Sequence, residues 1–142
     1  MDKLRNANDV RNVAPLIIKA GILKTKTEIE GIALKGVNEE YDWNTIHNYL
    51  KKGTILSFKD SSASKEIMVS QSTAKRLNLN IGDNVIAYFI RSDLASPIGR
   101  KLKVCGIFHT GLEEYDKQYA LVDIRLLREL NNWENDEVAG YE

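Results

Sequence analysis

At 142 residues, 43% of them hydrophobic, the chain has the size of one domain with an ordinary core. Its formal net charge of zero excludes a non-specific phosphate-binding surface, which needs clustered excess Lys and Arg, so no nucleic-acid partner is expected. The lone Cys105 excludes an internal disulfide, and the longest uninterrupted apolar run, Val85 to Ile90, is too short to span a bilayer.

The opening Met1-Asp2-Lys3-Leu4-Arg5 is too polar for a signal peptide, and the polar texture continues to Asn12. Val10, Val13, Ile17 and Ile18 would suit a helix face, but Pro15 would remove a helical hydrogen bond. Residues 16–23 therefore read as a strand with Leu16, Ile18, Ala20 and Ile22 on one face. Thr25-Lys26-Thr27 turns it, and residues 31–37 return as its partner. After the polar loop 38–42, Asn44 is an N-cap candidate for a helix over 45–52, with Gly53 as its C-cap.

A loose serine-rich turn over 57–65 precedes a strand at 66–69, and Ser70 caps a helix over 71–77 with Ala74 and Leu77 inward. Asn80-Ile81-Gly82-Asp83 is a tight turn feeding a strand over 85–91, and Ser92 to Gly99 forms a hairpin tip punctuated by Pro97 and Gly99. Strands over 101–108 and 119–123 flank the acidic turn 110–116. Asp123 caps a last helix over 124–130, striped by Leu126, Leu127 and Leu130, and residues 137–142 have the texture of a strand beginning. Strands with three short helices make the class α+β, with mixed and antiparallel sheets.

Little in this pattern suits catalysis. No glycine-rich phosphate loop is followed by Lys-Ser/Thr, no G-x-G-x-x-G follows a strand, and no G-x-S-x-G elbow is present. His47 and His109 have no nucleophile at a useful spacing. No enzyme, cofactor or catalytic residue is expected. Cys105 and His109 lie four apart on one strand and so share a face, but a closed zinc site needs four ligands, and no metal is expected. Residues 1–27 are mostly basic (Lys3, Arg5, Arg11, Lys19, Lys24, Lys26), whereas residues 112–142 are mostly acidic. That asymmetry reads either as a solvated surface or as two faces with different partners. The run Glu113-Glu114-Tyr115-Asp116 reads equally as a solvated loop anchored by its tyrosine and as a partner contact.

Several patterns in order resemble one family. They are Gly31 to Val37 followed by Tyr41-Asp42-Trp43; the unit Ser70, Ala74, Leu77, Gly82-Asp83; Val104-Cys105-Gly106-Ile107-Phe108; Thr110 to Asp116; and Trp133 with Val138 to Glu142. Together they resemble the extracytoplasmic, MacB-like periplasmic core domain of FtsX/LolC/LolE-type ABC transporter permeases, in the lipoprotein-releasing branch. The resemblance implies a non-catalytic fragment of a larger periplasmic domain at the bacterial inner membrane, porter-like over about residues 1–53 and strand-rich over 54–142. It implies a cytoplasmic ATPase, a second permease subunit, a periplasmic lipoprotein carrier and lipoprotein cargo as partners. In that branch a hairpin hooks the carrier, which makes Pro97, Ile98 and Arg100 the candidate contacts, beside Glu113, Glu114 and Asp116 of the acidic turn. Efflux of the MacB kind and regulation of the FtsX kind stay open. So does a swapped-hairpin or double-psi barrel serving DNA binding or substrate recognition by an ATPase.

Overall fold

Strand pairing closes on itself in the computed structural model, which describes residues 15–59, 62–89, 98–134 and 140–141. The chain runs β1 (Pro15–Lys24), β2 (Ile29–Val37), α1 (Trp43–Tyr49), β3 (Leu50–Gly53), β4 (Glu66–Ser70), α2 (Gln71–Leu77) and β5 (Asn84–Phe89). It continues through β6 (Ile98–Phe108), α3 (Glu113–Gln118), β7 (Tyr119–Asp123), α4 (Ile124–Glu134) and β8 (Gly140–Tyr141). Pairings β1–β2, β2–β7, β7–β4, β4–β6, β6–β5 and β5–β1 make a ring, with β3 added to β6 and β8 to β1. Two of these contacts, β2–β7 and β4–β6, are parallel and the rest of the ring is antiparallel. Closure gives each ring strand a partner on both sides over part of its length. The class is mixed α+β, as the sequence pattern implies, and strands from both sides of residue 53 share the sheet.

Alternation decides what fills the ring. Ile17 and Leu23 of β1, Ile32 and Leu34 of β2, Ile67 and Val69 of β4, Val85, Ala87 and Phe89 of β5, and Ala120 and Val122 of β7 all belong to one buried cluster. Helix α2 adds Ala74 and Leu77 to it, and α4 adds Ile124, Leu126 and Leu127. A second cluster lies on the other face of β4, β6 and β7, where Met68, Cys105, Phe108 and Leu121 meet Ile46 of α1 and Leu56. Leu16 of β1 and Val37 of β2 join this second cluster, so barrel and outer layer are two cores sharing five strands.

The strand β1 is present where expected. Leu16, Ile18, Ala20 and Ile22 share a face, as expected; it is the one outside the barrel, where Leu16 packs in the outer-layer core and Ile18 is 50% exposed, while Ile17 and Leu23 join the barrel core. The run Leu16-Ile17-Ile18 is apolar at both parities, so the registers to β2 and β5, rather than composition, choose the inner face.

Helix α1 also differs. Asp42, rather than Asn44, caps it: its carboxylate accepts from the Thr45 amide at 3.3 Å and from the Thr45 hydroxyl at 2.7 Å. The helix stops at Tyr49 because Leu50–Gly53 instead pairs with Phe108–Gly106 of β6. Gly53 has φ +78° at the end of that strand, and a Cβ there would collide with the Cys105 carbonyl; its role is close strand approach, not helix termination. Helix α2 follows expectation, with the Ser70 hydroxyl accepting from the Thr73 amide at 3.0 Å. So does the turn behind it, where Gly82 has φ +93° and the Asp83 carboxylate accepts from the Asn80 amide at 2.8 Å. The acidic turn 110–116 is helical from Glu113 onward, as α3.

Strand directions define two ends. Pro15, Val37, Glu66, Asp123 and the start of β6 lie toward one end, where β8 pairs with Pro15 and Leu16; this is the terminal end. Lys24, Ile29, Ser70, Phe108 and Tyr119 lie toward the other, the distal end, which carries α2 and α3.

Candidate docking surfaces

The six residues singled out in the sequence do not form one patch. Pro97, with most of the expected tip over 92–99, lies outside the described residues. Ile98 and Arg100 belong to β6, opposite Phe89 and Ala87 of β5. Ile98 is only 8% exposed and sits in the barrel cluster, so it is a core residue rather than the apolar anchor of a tip. The antiparallel ladder continues two residues further toward the tip than the Pro-Gly punctuation implies, and it draws Ile98 inward. Arg100 is half-buried on the strand, where its guanidinium donates to the Gly99 carbonyl at 3.0 Å.

Glu113, Glu114 and Asp116 stand at the distal end, beyond the far end of β6. At about 3.3 Å per residue, that is roughly 30 Å along the strand from Ile98. Glu113 and Glu114 are exposed on the first turn of α3, where carboxylates suit the positive end of the helix dipole. Glu113 lies 3.9 Å from the Lys117 ammonium one turn on. Asp116 is different. It is 3% exposed, and its carboxylate accepts from the Thr110 amide (3.2 Å), the Thr110 hydroxyl (2.7 Å) and the Gly111 amide (3.4 Å). The exposed His109 ring places Nδ1 3.4 Å from the same carboxylate. Asp116 therefore holds the loop between β6 and α3 and has no surface to offer a partner. Its main-chain carbonyl accepts from the Ser70 hydroxyl, which joins this loop to the cap of α2.

Cys105 and His109 are separated by environment. The thiol packs in the outer-layer core, and burial, with Glu66 nearby, pushes its pKa up to about 12 from 9.0. The imidazole stands at the surface against Asp116.

A cluster that the sequence did not single out lies on the outer face of β2 and β7. The Lys35 ammonium sits 5.2 Å from the Tyr41 ring centre, 5.3 Å from that of Tyr115 and 5.9 Å from that of Tyr119, and it donates to the Tyr115 hydroxyl at 3.3 Å. Burial works against its charge, but Tyr41 and Tyr115 outweigh it and hold the amine above the ordinary lysine range. Burial, reinforced by Tyr41, pushes the Tyr115 hydroxyl up to about 12, against the pull of Lys35. The cluster pins the loop after β2 to α3. Its members span eighty positions of sequence between Lys35 and Tyr115, so no local pattern could reveal it.

No protein-family model matches the chain. The lipoprotein-releasing system transmembrane protein LolC of Buchnera aphidicola subsp. Acyrthosiphon pisum (strain APS) is 25% identical over 145 residues, which covers 99% of this chain and 35% of that protein. Among solved structures, the periplasmic region of MacB from Actinobacillus actinomycetemcomitans superposes with a TM-score of 0.61 at 20% identity, covering 91% of this chain and 54% of that one. The chain has the fold of a MacB-like extracytoplasmic domain. The extracellular domain of the noncanonic ABC-type transporter YknZ from Gram-positive bacteria also superposes on this chain, with a TM-score of 0.59 at 19% identity over 82% of this chain and 56% of that one. The chain thus spans about a third of its LolC relative and just over half of each solved MacB-like chain. Among the described residues, no helix is long and apolar enough to cross a membrane.

Proposed function

We propose that this chain is the non-catalytic extracytoplasmic domain of an ABC transporter permease of the lipoprotein-releasing type, at the periplasmic face of a bacterial inner membrane. The observation that carries the reading is the LolC likeness, which runs over 99% of the chain rather than over one motif. The MacB-like fold supports the broader class. In this role the domain transmits ATP hydrolysis by a cytoplasmic ATPase to cargo outside the membrane, together with a second permease subunit. Lipoproteins leave the membrane and pass to a periplasmic carrier. The connection from β5 to β6, with Pro97 and Arg100 at its β6 side, is the carrier contact in this reading, and Ile98 is not part of it. A closed ring is also compatible with barrel modules of other function, but architecture alone does not assign one.

The test is reconstitution of the full-length permease with its ATPase and second subunit in vesicles loaded with a lipoprotein. Addition of carrier and ATP should release cargo, and a Pro97→Ala/Arg100→Ala variant should capture carrier at least tenfold less well, on the order of 1.4 kcal/mol. Active ATP hydrolysis with export of small molecules but no lipoprotein release would replace the reading with efflux.

A further inference from the structure

A cleft of about 180 Å³ opens at the distal end, between β3, β6 and the C-terminal end of α2. Its floor is apolar (Ala74, Leu79, Ile107), its walls carry the side-chain amides of Gln71, Asn78 and Asn80, and its rim carries Lys51, Lys52 and Lys75. All three lysines are exposed, no carboxylate lines the cleft, and among the described residues their ammonium groups make no ion pair or hydrogen bond. Lysines on a short added strand commonly blunt its edge against unwanted pairing, which would account for Lys51 and Lys52. It does not account for Lys75, which reaches the same cleft from a different element, nor for the apolar floor between them.

We propose that this cleft docks an acidic peptide segment of a partner protein. Carboxylates would meet the lysine rim, the three amides would donate to and accept from its main chain, and one apolar side chain would rest on Ala74, Leu79 and Ile107. The amides and the floor favour a peptide over a bare phosphate group, which would use the lysines alone. The site is distinct from the β5–β6 connection and rests on geometry independent of the transport reading.

The probe is a short peptide of alternating glutamate and leucine, titrated into the isotopically labelled chain while the side-chain amide signals of Gln71, Asn78 and Asn80 are followed by NMR. These signals should shift saturably, and the affinity should fall at least tenfold in the Lys51→Glu/Lys52→Glu/Lys75→Glu variant and decline with added salt. The lysines are exposed, so the variant should keep its melting temperature, and Lys→Gln versions should bind with intermediate strength. A lysine–leucine peptide that binds as well, or an unchanged affinity in the folded triple variant, would overturn the proposal. Binding of inorganic phosphate or phosphatidylglycerol vesicles without binding of the peptide would do the same.

Discussion

Each end of the barrel is organised by one buried aspartate, and the two were not equally readable. At the terminal end Asp123 is fully buried; its carboxylate accepts from the Arg125 amide at 2.9 Å, the Arg125 guanidinium at 2.7 Å and the Ser64 amide at 2.9 Å. At the distal end Asp116 binds the Thr110–Gly111 loop. Asp123 stands where a strand gives way to a leucine-striped helix, so cap chemistry marks it in the sequence. Asp116 stands in a run of acids, and its partners lie six positions upstream, so the same chemistry hides among solvated charges. An acidic cluster read from sequence thus mixes exposed carboxylates with ones that fold the loop.

The largest effect should come from Asp123. Asp123→Ala removes the cap of α4 and leaves the buried Ser64 amide without its acceptor, and thermal or denaturant unfolding should show a loss of about 3–4 kcal/mol. Ile98 separates the two views of the terminal end directly. A tip residue could be truncated freely, whereas a core residue cannot, and Ile98→Ala should cost about 2–4 kcal/mol by chemical denaturation. A loss below about 0.5 kcal/mol would return Ile98 to the tip. At the distal end Asp116→Ala should cost about 2–3 kcal/mol, while Glu113→Ala and Glu114→Ala should stay within about 0.5 kcal/mol. Equal effects at the three positions would erase the distinction between the buried acid and its exposed neighbours.

Alkaline titration reaches the outer layer and its Lys35 cluster. Cys105 and Tyr115 have folded pKa values raised to about 12 from 9.0 and 10.0, chiefly by burial. The unfolded chain loses these protons first, so their contribution is complete below pH 9 and is lost as pH rises toward 12. Melting temperature should decline across that window. Cys105→Ala should remove the earliest part of the decline, leaving the profile flat until Tyr115 begins to titrate in the unfolded chain near pH 10.

Local chemistry made most of the elements legible. Pro15 pointed to a strand, Ser70 and Asp123 to helix starts, and Gly82-Asp83 to a turn, because each acts within a few residues of itself. Long-range pairing was not legible. The inner face of β1, the conversion of Leu50–Gly53 from helix to strand and the closure of the ring all depend on partners far along the chain. The Lys35 cluster and the lysine cleft escaped for the same reason, since each assembles residues from separate elements.

Extracytoplasmic placement is the central claim, and Glu114 allows it to be tested in intact cells. Cys105 is buried and Glu114 is exposed, so Glu114→Cys in the full-length protein supplies a thiol that a membrane-impermeant maleimide can reach from one side only. In cells whose outer permeability barrier has been opened while the inner membrane stays sealed, extracytoplasmic placement predicts labelling of the variant without lysis, above that of the parent protein. Labelling that appears only after the inner membrane is broken would contradict it.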